Sequence, residues 1–475
     1  MINDFFNILL PQACIGFFIL LELILAMFAS PRAYNLARMI GATGISLAIV
    51  LLSTVQVEPQ YFGFRNSIMS DSYTLLFHFI ILLCGFMSVL LTKNLIEKSR
   101  QNAFTFHAII LTAILGAMNV VSANDFLTLF ISMELLSFPL YFMIAMPKGY
   151  YSKEASFKYL ITSAVSTGVF LFGVSYIYGL TSSLNFSEIY ETVVSQETSL
   201  LYSFAGIMTV LGLISKLAIF PFANWVVDVY KGSETSVLAF LTTIPKLAVF
   251  AILCRLIVFP LGTSFELTFV LAIISLITAF WANTYAIKEK NVKAILACSS
   301  AANASYVLLA ASLVSVYNLS TVIFYLVCYV FMNIAVFAFL NIAESNGFGF
   351  EVEDFRNLFA KNKGAVIAYT LAVIGLAGFP ITSGFVAKIY LFSAIAHSGL
   401  IFIPFLIILL LLTVIALFYY LKLIRPLFEI EERGAVLNTF FSQNFVLYFM
   451  VLITVLIGVY PEKLVELCRF IAYNI

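Results

Sequence analysis

Fourteen apolar runs of 18 or more residues, separated by short polar breaks, constrain this chain more than any other feature of its sequence. A helix of about 20 apolar residues is long enough to cross the hydrocarbon core of a bilayer. The chain is therefore predicted to be an all-α polytopic membrane protein with about fourteen transmembrane helices. The predicted spans lie near residues 8–28, 37–55, 71–92, 104–122, 124–146, 156–180, 200–222, 236–258, 266–287, 292–314, 318–343, 364–392, 402–427 and 445–467.

The composition excludes the other broad classes of protein. Apolar residues make up 62% of the 475 residues and charged residues only 10%. Soluble domains have about 45–50% apolar residues and about 25% charged residues. The 49 Phe and 24 Tyr residues exclude intrinsic disorder, and the net charge of +1 argues against a nucleic-acid partner. The six cysteines stand singly in apolar stretches, so no metal site or iron–sulfur cluster is predicted.

The basic residues test the span count independently. Of the 25 Lys and Arg residues, 18 fall in odd-numbered connections, 3 in even-numbered connections or the tails, and 4 within spans. Positive residues concentrate on the cytoplasmic side of membrane proteins, and one missed helix would destroy this alternation. We expect a multi-pass protein of the bacterial inner membrane with both termini in the periplasm.

Two spans contain residues that interrupt helices. Span 7 reads GLISKLAIFPFANW, with Pro221 shortly after Lys216. Span 12, at 364–392, would be about 43 Å long as a straight helix, against about 30 Å of hydrocarbon. Its middle contains Gly378, Pro380 and Gly384, which break the backbone hydrogen-bond ladder. We predict a broken helix in both spans.

The two predicted breaks lie five spans apart, and an odd number of crossings inverts a repeat. Spans 4–8 and 9–13 are therefore predicted to be two inverted five-helix repeats, a design that occurs in transporters. The alternative is that Gly and Pro are simply common in membrane helices. The predicted division is a three-helix segment at 1–103, the first repeat at 104–258, the second at 266–427 and a C-terminal helix at 428–475.

Four ionisable residues lie deep in predicted spans, namely Glu134, Lys216, Lys246 and Lys388. Each has an insertion cost of about 2.5–3.5 kcal/mol and points to a function in the membrane. Because burial and neighbouring charges both change the proton affinity of a lysine, protonation of Lys216 is expected to depend on its distance from Glu134. We predict that the four residues carry protons; the alternative is a Glu–Lys pair that only joins helices.

Other polar residues in or near the spans are weaker candidates. His78 and His107 are candidate proton relays, and Ser299, Ser300 and Asn303 could hold water on a polar face of span 10. Asp228, just beyond span 7, is expected to cap or pair locally. Arg255, near the outer end of span 8, is expected to extend to the membrane interface.

Four segments carry a resemblance to a known family. The chain resembles the antiporter-like membrane subunits of proton-pumping NADH:quinone oxidoreductase, respiratory complex I, over roughly residues 120–395, and is most similar to the subunit N branch. The Asp-Val-Tyr-x-Gly run at 228–232 and the Pro-Lys pair at 245–246 are typical of that branch. The segments are PFANWVVDVYKG (221–232), SVLAFLTTIPKLAVF (236–250), NVKAILACSSAANASY (291–306) and GLAGFPITSGFVAKIYLF (375–392).

The resemblance implies roles for the same four deep residues. Glu134 is similar to the family's span-5 glutamate, Lys216 to its span-7 lysine, Lys246 to its central lysine and Lys388 to its span-12 lysine. The chain also departs from the family at four positions. Ala223 and Asn303 stand where the family usually has His, and Val227 and Glu234 where it often has Pro. Since Asn cannot take up a proton, the path from Lys246 to Lys388 is expected to use Ser299, Ser300 and water.

The implied function is proton translocation within complex I, driven by quinone reduction elsewhere in the complex. This chain is expected to carry no cofactor, with NADH, flavin, iron–sulfur clusters and quinone on partner subunits. Other membrane-arm subunits, including related antiporter-like ones, are the implied partners, together with the lipid bilayer. The alternatives are a subunit of a multisubunit cation/proton antiporter and a purely structural subunit of the membrane arm.

Overall fold

The computed structural model describes residues 8–28, 30, 33–55, 60–93, 95–96, 102–147, 149–195, 200–261, 264–429 and 437–474. Its first helices are α1 (Leu10–Phe28), α2 (Tyr34–Leu52), α3 (Ser72–Leu90), α4 (Ala103–Ser122), α5 (Phe126–Ala145), α6 (Tyr150–Thr181), α7 (Phe186–Ser195), α8 (Leu200–Ile214), α9 (Trp225–Gly232), α10 (Thr235–Leu241) and α11 (Ile244–Val258). They are followed by α12 (Phe265–Lys288), α13 (Val292–Ser312), α14 (Val316–Ser345), α15 (Leu358–Lys361), α16 (Lys363–Ala377), α17 (Ser383–His397), α18 (Ile403–Ile424), α19 (Phe441–Val459) and α20 (Glu462–Tyr473). A short antiparallel hairpin, β1 (Tyr61–Gly63) and β2 (Ile68–Ser70), pairs Tyr61 with Ser70 before α3.

The predicted all-α membrane fold is confirmed. Within the described residues, 13 segments are long and apolar enough to cross a membrane. The remaining predicted span, at 364–392, appears as α16 and α17, each of 15 residues. Five of the basic residues that were counted for orientation, Arg32, Lys98, Arg100, Lys148 and Arg433, lie outside the described residues.

Asn, Asp and Ser side chains begin several of these helices. The Asp71 carboxylate accepts a hydrogen bond from the Thr74 backbone N–H, and Asp125 does the same for Thr128. Asn291 and Ser315 cap α13 and α14 in the same way. Such caps satisfy backbone donors that have no partner within the first turn.

Both predicted helix breaks are confirmed. In span 7, α8 ends at Ile214, a 3₁₀ turn covers Ser215–Leu217, and Ala218 has the left-handed φ of +60°. In span 12, α16 ends before Gly378, whose φ is +86°, and α17 begins at Ser383. A third break, which was not predicted, separates α10 from α11 two residues before Lys246. Each buried lysine of the predicted series therefore lies close to a helix break.

The chain divides into two compact units. Unit 1 comprises Met1–Leu217, Ile244–Leu271 and Ile471–Ile475. Within it, α1 packs against α2 and α4, α6 packs against α5 and α8, and α11 packs against α3, α4 and the 3₁₀ turn at Ser215–Leu217. The chain leaves unit 1 after Leu217, one residue beyond Lys216, and returns at Ile244, two residues before Lys246.

Unit 2 comprises Ala218–Thr243 and Ala272–Phe470. Its centre is α14, which packs against α10, α13, α16, α17 and α19. All 21 residues of α13 are buried, whereas much of the apolar surface of α18 is exposed. The predicted division into two inverted repeats stays a prediction.

Candidate functional site

Hydroxyl groups in unit 1 contact Glu134 and Lys216 on the same pair of helices. Glu134, half-buried on α5, accepts a hydrogen bond from Thr167 Oγ1 on α6 at 2.9 Å. The Lys216 side chain is 4% exposed, and its Nζ donates to Ser137 Oγ at 2.7 Å and to Ser163 Oγ at 2.6 Å. Ser137 lies one turn beyond Glu134 on α5, and Ser163 lies one turn before Thr167 on α6. The hydroxyl partners of the acid and the base therefore lie about one turn apart on α5 and α6.

No direct ion pair joins the two groups. Among the residues that the structure describes, the ion pairs within 4.0 Å do not include Glu134 or Lys216. A serine hydroxyl can both donate and accept a hydrogen bond, so it can follow the loss or gain of a proton on the amine by rotating. A carboxylate in direct contact would instead favour one protonation state.

The break in span 7 places Lys216 in this position. The 3₁₀ turn at Ser215–Leu217 ends α8, and Ser215 Oγ donates to the Gly212 carbonyl at 2.8 Å, within the last turn of that helix. The turn packs against α11. The end of α8 therefore directs the Lys216 side chain towards α5 and α6, where its ammonium group donates to Ser137 and Ser163.

Lys246 lies in the first turn of α11 in unit 1. Its side chain is 4% exposed, and Pro245 precedes it at the second position of the helix. Proline is well suited to a first turn because that turn needs no backbone donor there. The helix start after Thr243 thus places the central lysine at a helix end rather than in the middle of a continuous span.

The break in span 12 holds Lys388 in unit 2. The Lys388 side chain is 8% exposed, and its Nζ donates to the carbonyls of Leu376 and Ala377 at 2.9 and 2.8 Å. These are the last two residues of α16, whose free carbonyls and dipole attract a cation. Gly378 is required here, because a Cβ atom at that position would lie 2.7 Å from Lys388 Cδ and 3.2 Å from Nζ.

The polar face of span 10 is built into a hydroxyl network in unit 2. Ser299 Oγ lies 2.6 Å from the Tyr420 hydroxyl. The Tyr325 hydroxyl donates to Asn303 Oδ1 at 2.6 Å, and Asn303 Nδ2 donates to the Ser299 carbonyl at 2.8 Å. The structure therefore brings Ser299 and Asn303 together with two tyrosines that the sequence analysis did not single out.

Ser300 belongs to a second hydroxyl group on the same helix. Its Oγ lies 2.7 Å from the Tyr329 hydroxyl and accepts a hydrogen bond from the Tyr230 hydroxyl at 3.1 Å. All three residues are buried. Tyr325 and Tyr329 are four residues apart and so share one face of α14, a spacing that could have identified them in the sequence.

The remaining candidates lie apart from these clusters. Asp228 is exposed on α9, so it carries none of the burial cost that marks the other acids. His107 on α4 is fully buried in unit 1, with Nδ1 2.8 Å from the Ala103 carbonyl and Nε2 3.3 Å from Thr92 Oγ1. His78 on α3 is also buried and contacts the Met118 carbonyl and Ser122.

The prediction for Arg255 was wrong. Arg255 does not reach the membrane interface; it is 1% exposed and forms a 2.6 Å ion pair with the fully buried Asp71. The Asp71 carboxylate and the Val121 carbonyl, to which Arg255 Nη1 donates at 3.0 Å, replace water as partners of the guanidinium. In unit 2, Lys293 likewise pairs with Glu344 at 3.1 Å.

Metal-binding groups do not cluster in the described part of the chain. Within it, no group of three or more His, Cys, Asp or Glu side chains is close enough to hold a metal ion. The buried polar side chains of the described residues include lysines, carboxylates, histidines and hydroxyl groups. Such groups can bind and transfer protons.

Comparison with known proteins relates this arrangement to one family. The family model for NADH:quinone oxidoreductase/Mrp antiporter transmembrane proteins matches residues 123–416. The chain is 35% identical to NADH-quinone oxidoreductase subunit N of Anoxybacillus flavithermus over 402 residues, which are 81% of this chain and 80% of the relative. It is 31% identical to the subunit N of Bacillus anthracis, covering 96% of this chain and 93% of the relative.

Solved structures agree with this relationship. A chain of respiratory complex I from Thermus thermophilus with bound aureothin matches with a TM-score of 0.83 and 25% identity, covering 97% of this chain and 100% of that chain. A chain of the Mrp complex from Dietzia sp. also has a TM-score of 0.83, but at 17% identity it shows a shared fold alone.

Proposed function

Because the chain belongs to the NADH:quinone oxidoreductase/Mrp antiporter family of transmembrane subunits, we propose that it moves protons within an NADH–quinone oxidoreductase. Its relatives named subunit N are parts of that enzyme complex, so the resemblance predicted from the sequence is confirmed. In the proposal the chain assembles with other membrane-arm subunits. NADH oxidation and quinone reduction take place on those partners, and both termini of this chain face the periplasm.

One observation carries the proposal. The buried Lys216 ammonium is held by the hydroxyls of Ser137 and Ser163, rather than by the carboxylate of Glu134. An amine held in this way can lose its proton without leaving a buried carboxylate unpaired, which is the costly outcome for a direct buried pair. Lys216 and Glu134 are therefore suited to alternate between protonation states.

The proposed series continues through Lys246 to Lys388. Both lysines are buried at helix breaks, and Lys388 has fixed acceptors in the two carbonyls at the end of α16. Ser299, Ser300, Asn303 and the hydroxyl groups around them support a hydrogen-bonded route within unit 2. In this route Asn303 orients its neighbours through its amide, because an amide does not take up a proton at neutral pH.

The test separates Glu134 and Lys216 from residues that only hold helices together. Proton uptake per NADH is measured in proteoliposomes for the assembled complex with Glu134→Gln, with Lys216→Met and with both changes. We expect each single variant to lose most of the coupled pumping and the double variant to lose little more, since both act in one relay. Exposed residues, Glu191→Gln and Lys153→Ala, serve as matched controls and should pump normally.

Two outcomes would overturn the proposal. Normal pumping by the assembled Lys216→Met complex would leave the structural role as the better explanation. Failure of the chain to co-purify with NADH-oxidising subunits, together with sodium-dependent proton exchange in the absence of NADH, would favour a subunit of a multisubunit cation/proton antiporter. The shared fold with the Mrp complex gives that second candidate its basis.

A further inference from the structure

Glu22 is a buried acid that has no part in the proposed series. It lies on α1, whose inward-facing stripe includes Gln12, Ile15 and Glu22. Its side chain is fully buried, and neither carboxylate oxygen has a hydrogen-bond partner among the described residues. An ionised carboxylate in this condition is strongly disfavoured, and a buried acid instead binds a proton or obtains a cation nearby.

A group near Glu22 that can carry such a charge is His107. Glu22 and His107 both lie next to Gly41 on α2. A Cβ atom built on Gly41 would lie 3.7 Å from Glu22 Oε1 and 3.6 Å from His107 Cδ2. Glycine at this position keeps α2 close to both groups. The carboxyl and the imidazole are therefore neighbours across α1, α2 and α4, although they are not hydrogen-bonded to each other.

The surroundings of His107 fit a doubly protonated ring. Nδ1 faces the Ala103 carbonyl, which can only accept a hydrogen bond. Nε2 faces Thr92 Oγ1, whose own hydrogen is donated to the Val89 carbonyl at 2.8 Å. Both ring nitrogens thus face an acceptor, as an imidazolium requires, and the Glu22 carboxylate supplies the opposite charge.

We propose that Glu22 and His107 together form a proton-binding site in unit 1, separate from the Glu134 and lysine series. One proton makes the pair neutral, whether it resides on the imidazole beside a carboxylate or on the carboxyl beside a neutral imidazole. Release of that proton leaves one negative charge within the membrane span. The site therefore binds a single proton.

One surrounding charge, that of Arg38, acts on His107. Among the described residues, the charged groups and histidines next to the pair in sequence or on helices packed against α1 and α4 are Arg38, His78, Lys93, Glu134, Lys246 and Arg255. Arg38 lies one turn before Gly41 but donates to Asn35 Oδ1 at 3.4 Å. Arg255 pairs with Asp71. The proposal does not depend on proton transfer through Lys216.

Infrared difference spectra of the purified, assembled complex across a pH titration test this site. We expect a carboxyl or imidazolium signal in the wild type that is lost in Glu22→Gln and unchanged in the exposed control Glu191→Gln. In His107→Gln the proton can bind only to Glu22, so a carboxylic acid carbonyl band should appear or strengthen.

Glu22→Asp keeps the test informative if Glu22→Gln fails to assemble, because an aspartic acid carbonyl band should be shifted in frequency. Spectra of Glu22→Gln and His107→Gln that superimpose on the wild type would overturn the proposal. A negative pumping result for the lysine variants would leave these spectra unaffected, so the two proposals fail separately.

Discussion

The two predicted helix breaks hold a buried lysine in different ways. In span 7, Lys216 donates to two serine hydroxyls in unit 1, whereas in span 12, Lys388 donates to two backbone carbonyls in unit 2. Hydroxyl groups donate and accept, but carbonyls only accept. Lys216 can therefore exchange its proton through its hydrogen-bond partners, while Lys388 must exchange its proton on the side that faces away from the carbonyls.

The backbone at the two breaks also differs. The left-handed residue is Ala218 in the first break, whereas the second break contains two left-handed residues, Gly378 and Ile381. A left-handed conformation costs an L-residue about 1–2 kcal/mol, so Ala218 strains the first break and Ile381 the second, while Gly378 adopts its conformation without that cost. The glycine leaves space for the Lys388 side chain, which suggests that the second break is fitted closely to its lysine.

Replacement of Ser137 and Ser163, the hydroxyl partners of Lys216, should have the largest effect among the changes that test the difference between the two breaks. A hydrogen bond to a charged group contributes about 1.5–3 kcal/mol, or about 10- to 100-fold in an equilibrium constant. We expect the assembled Ser137→Ala/Ser163→Ala complex to slow NADH-driven proton uptake by about tenfold or more. Ser175→Ala, at an exposed position on α6, is the matched control. Uptake at the wild-type rate would show that the hydroxyls do not take part.

A side chain at Gly378 should have the next largest effect. Gly378→Ala imposes about 1–2 kcal/mol of backbone strain and displaces Lys388, whose Cδ would lie 2.7 Å from the new Cβ. We expect lower thermal stability and reduced pumping in the assembled complex. Gly347→Ala controls for the strain alone, because φ is also positive there and no other atom lies within 4 Å of the new Cβ. Equal effects on pumping would contradict a specific fit to Lys388.

The smallest effect should come from the first break. Ala218→Gly removes the strain of the left-handed conformation, which stabilises the fold, but it also raises the conformational entropy of the unfolded chain, which destabilises the fold. We expect a net stabilisation of about 0.5–1 kcal/mol. Thermal unfolding of the purified complex measures this difference, and pumping should remain normal. Destabilisation would mean that the Ala218 methyl group contributes more by packing than the strain costs.

Local sequence features were sufficient to predict the spans and both breaks. Apolar runs, basic connections and the residues Pro221, Gly378 and Pro380 act through the chain's own backbone. The break before Lys246 consists of Thr242 and Thr243 and was missed. Pro245, which lacks a backbone donor and suits the first turn of a helix, was the local signal for it.

The partners of the buried charges were mostly beyond the reach of sequence analysis. Arg255 and its partner Asp71 are 184 residues apart in the sequence, and Lys216 and its partner Ser137 are 79 residues apart. A single sequence contains no information on which helix faces meet. Glu22 was visible as an acid in the first apolar run, but only its burial without hydrogen bonds marks it as unusual.

The central claim is that a buried lysine gains and loses a proton during turnover, and Lys246 tests it most directly. Protons moved per NADH are measured in proteoliposomes for the assembled wild type, Lys246→Met and Lys246→Arg, with Lys153→Ala as the exposed control. Arginine keeps the positive charge but does not release its proton. We predict that both Met and Arg lower the ratio. A wild-type ratio in the Arg variant would contradict the claim, because a fixed charge would then be sufficient.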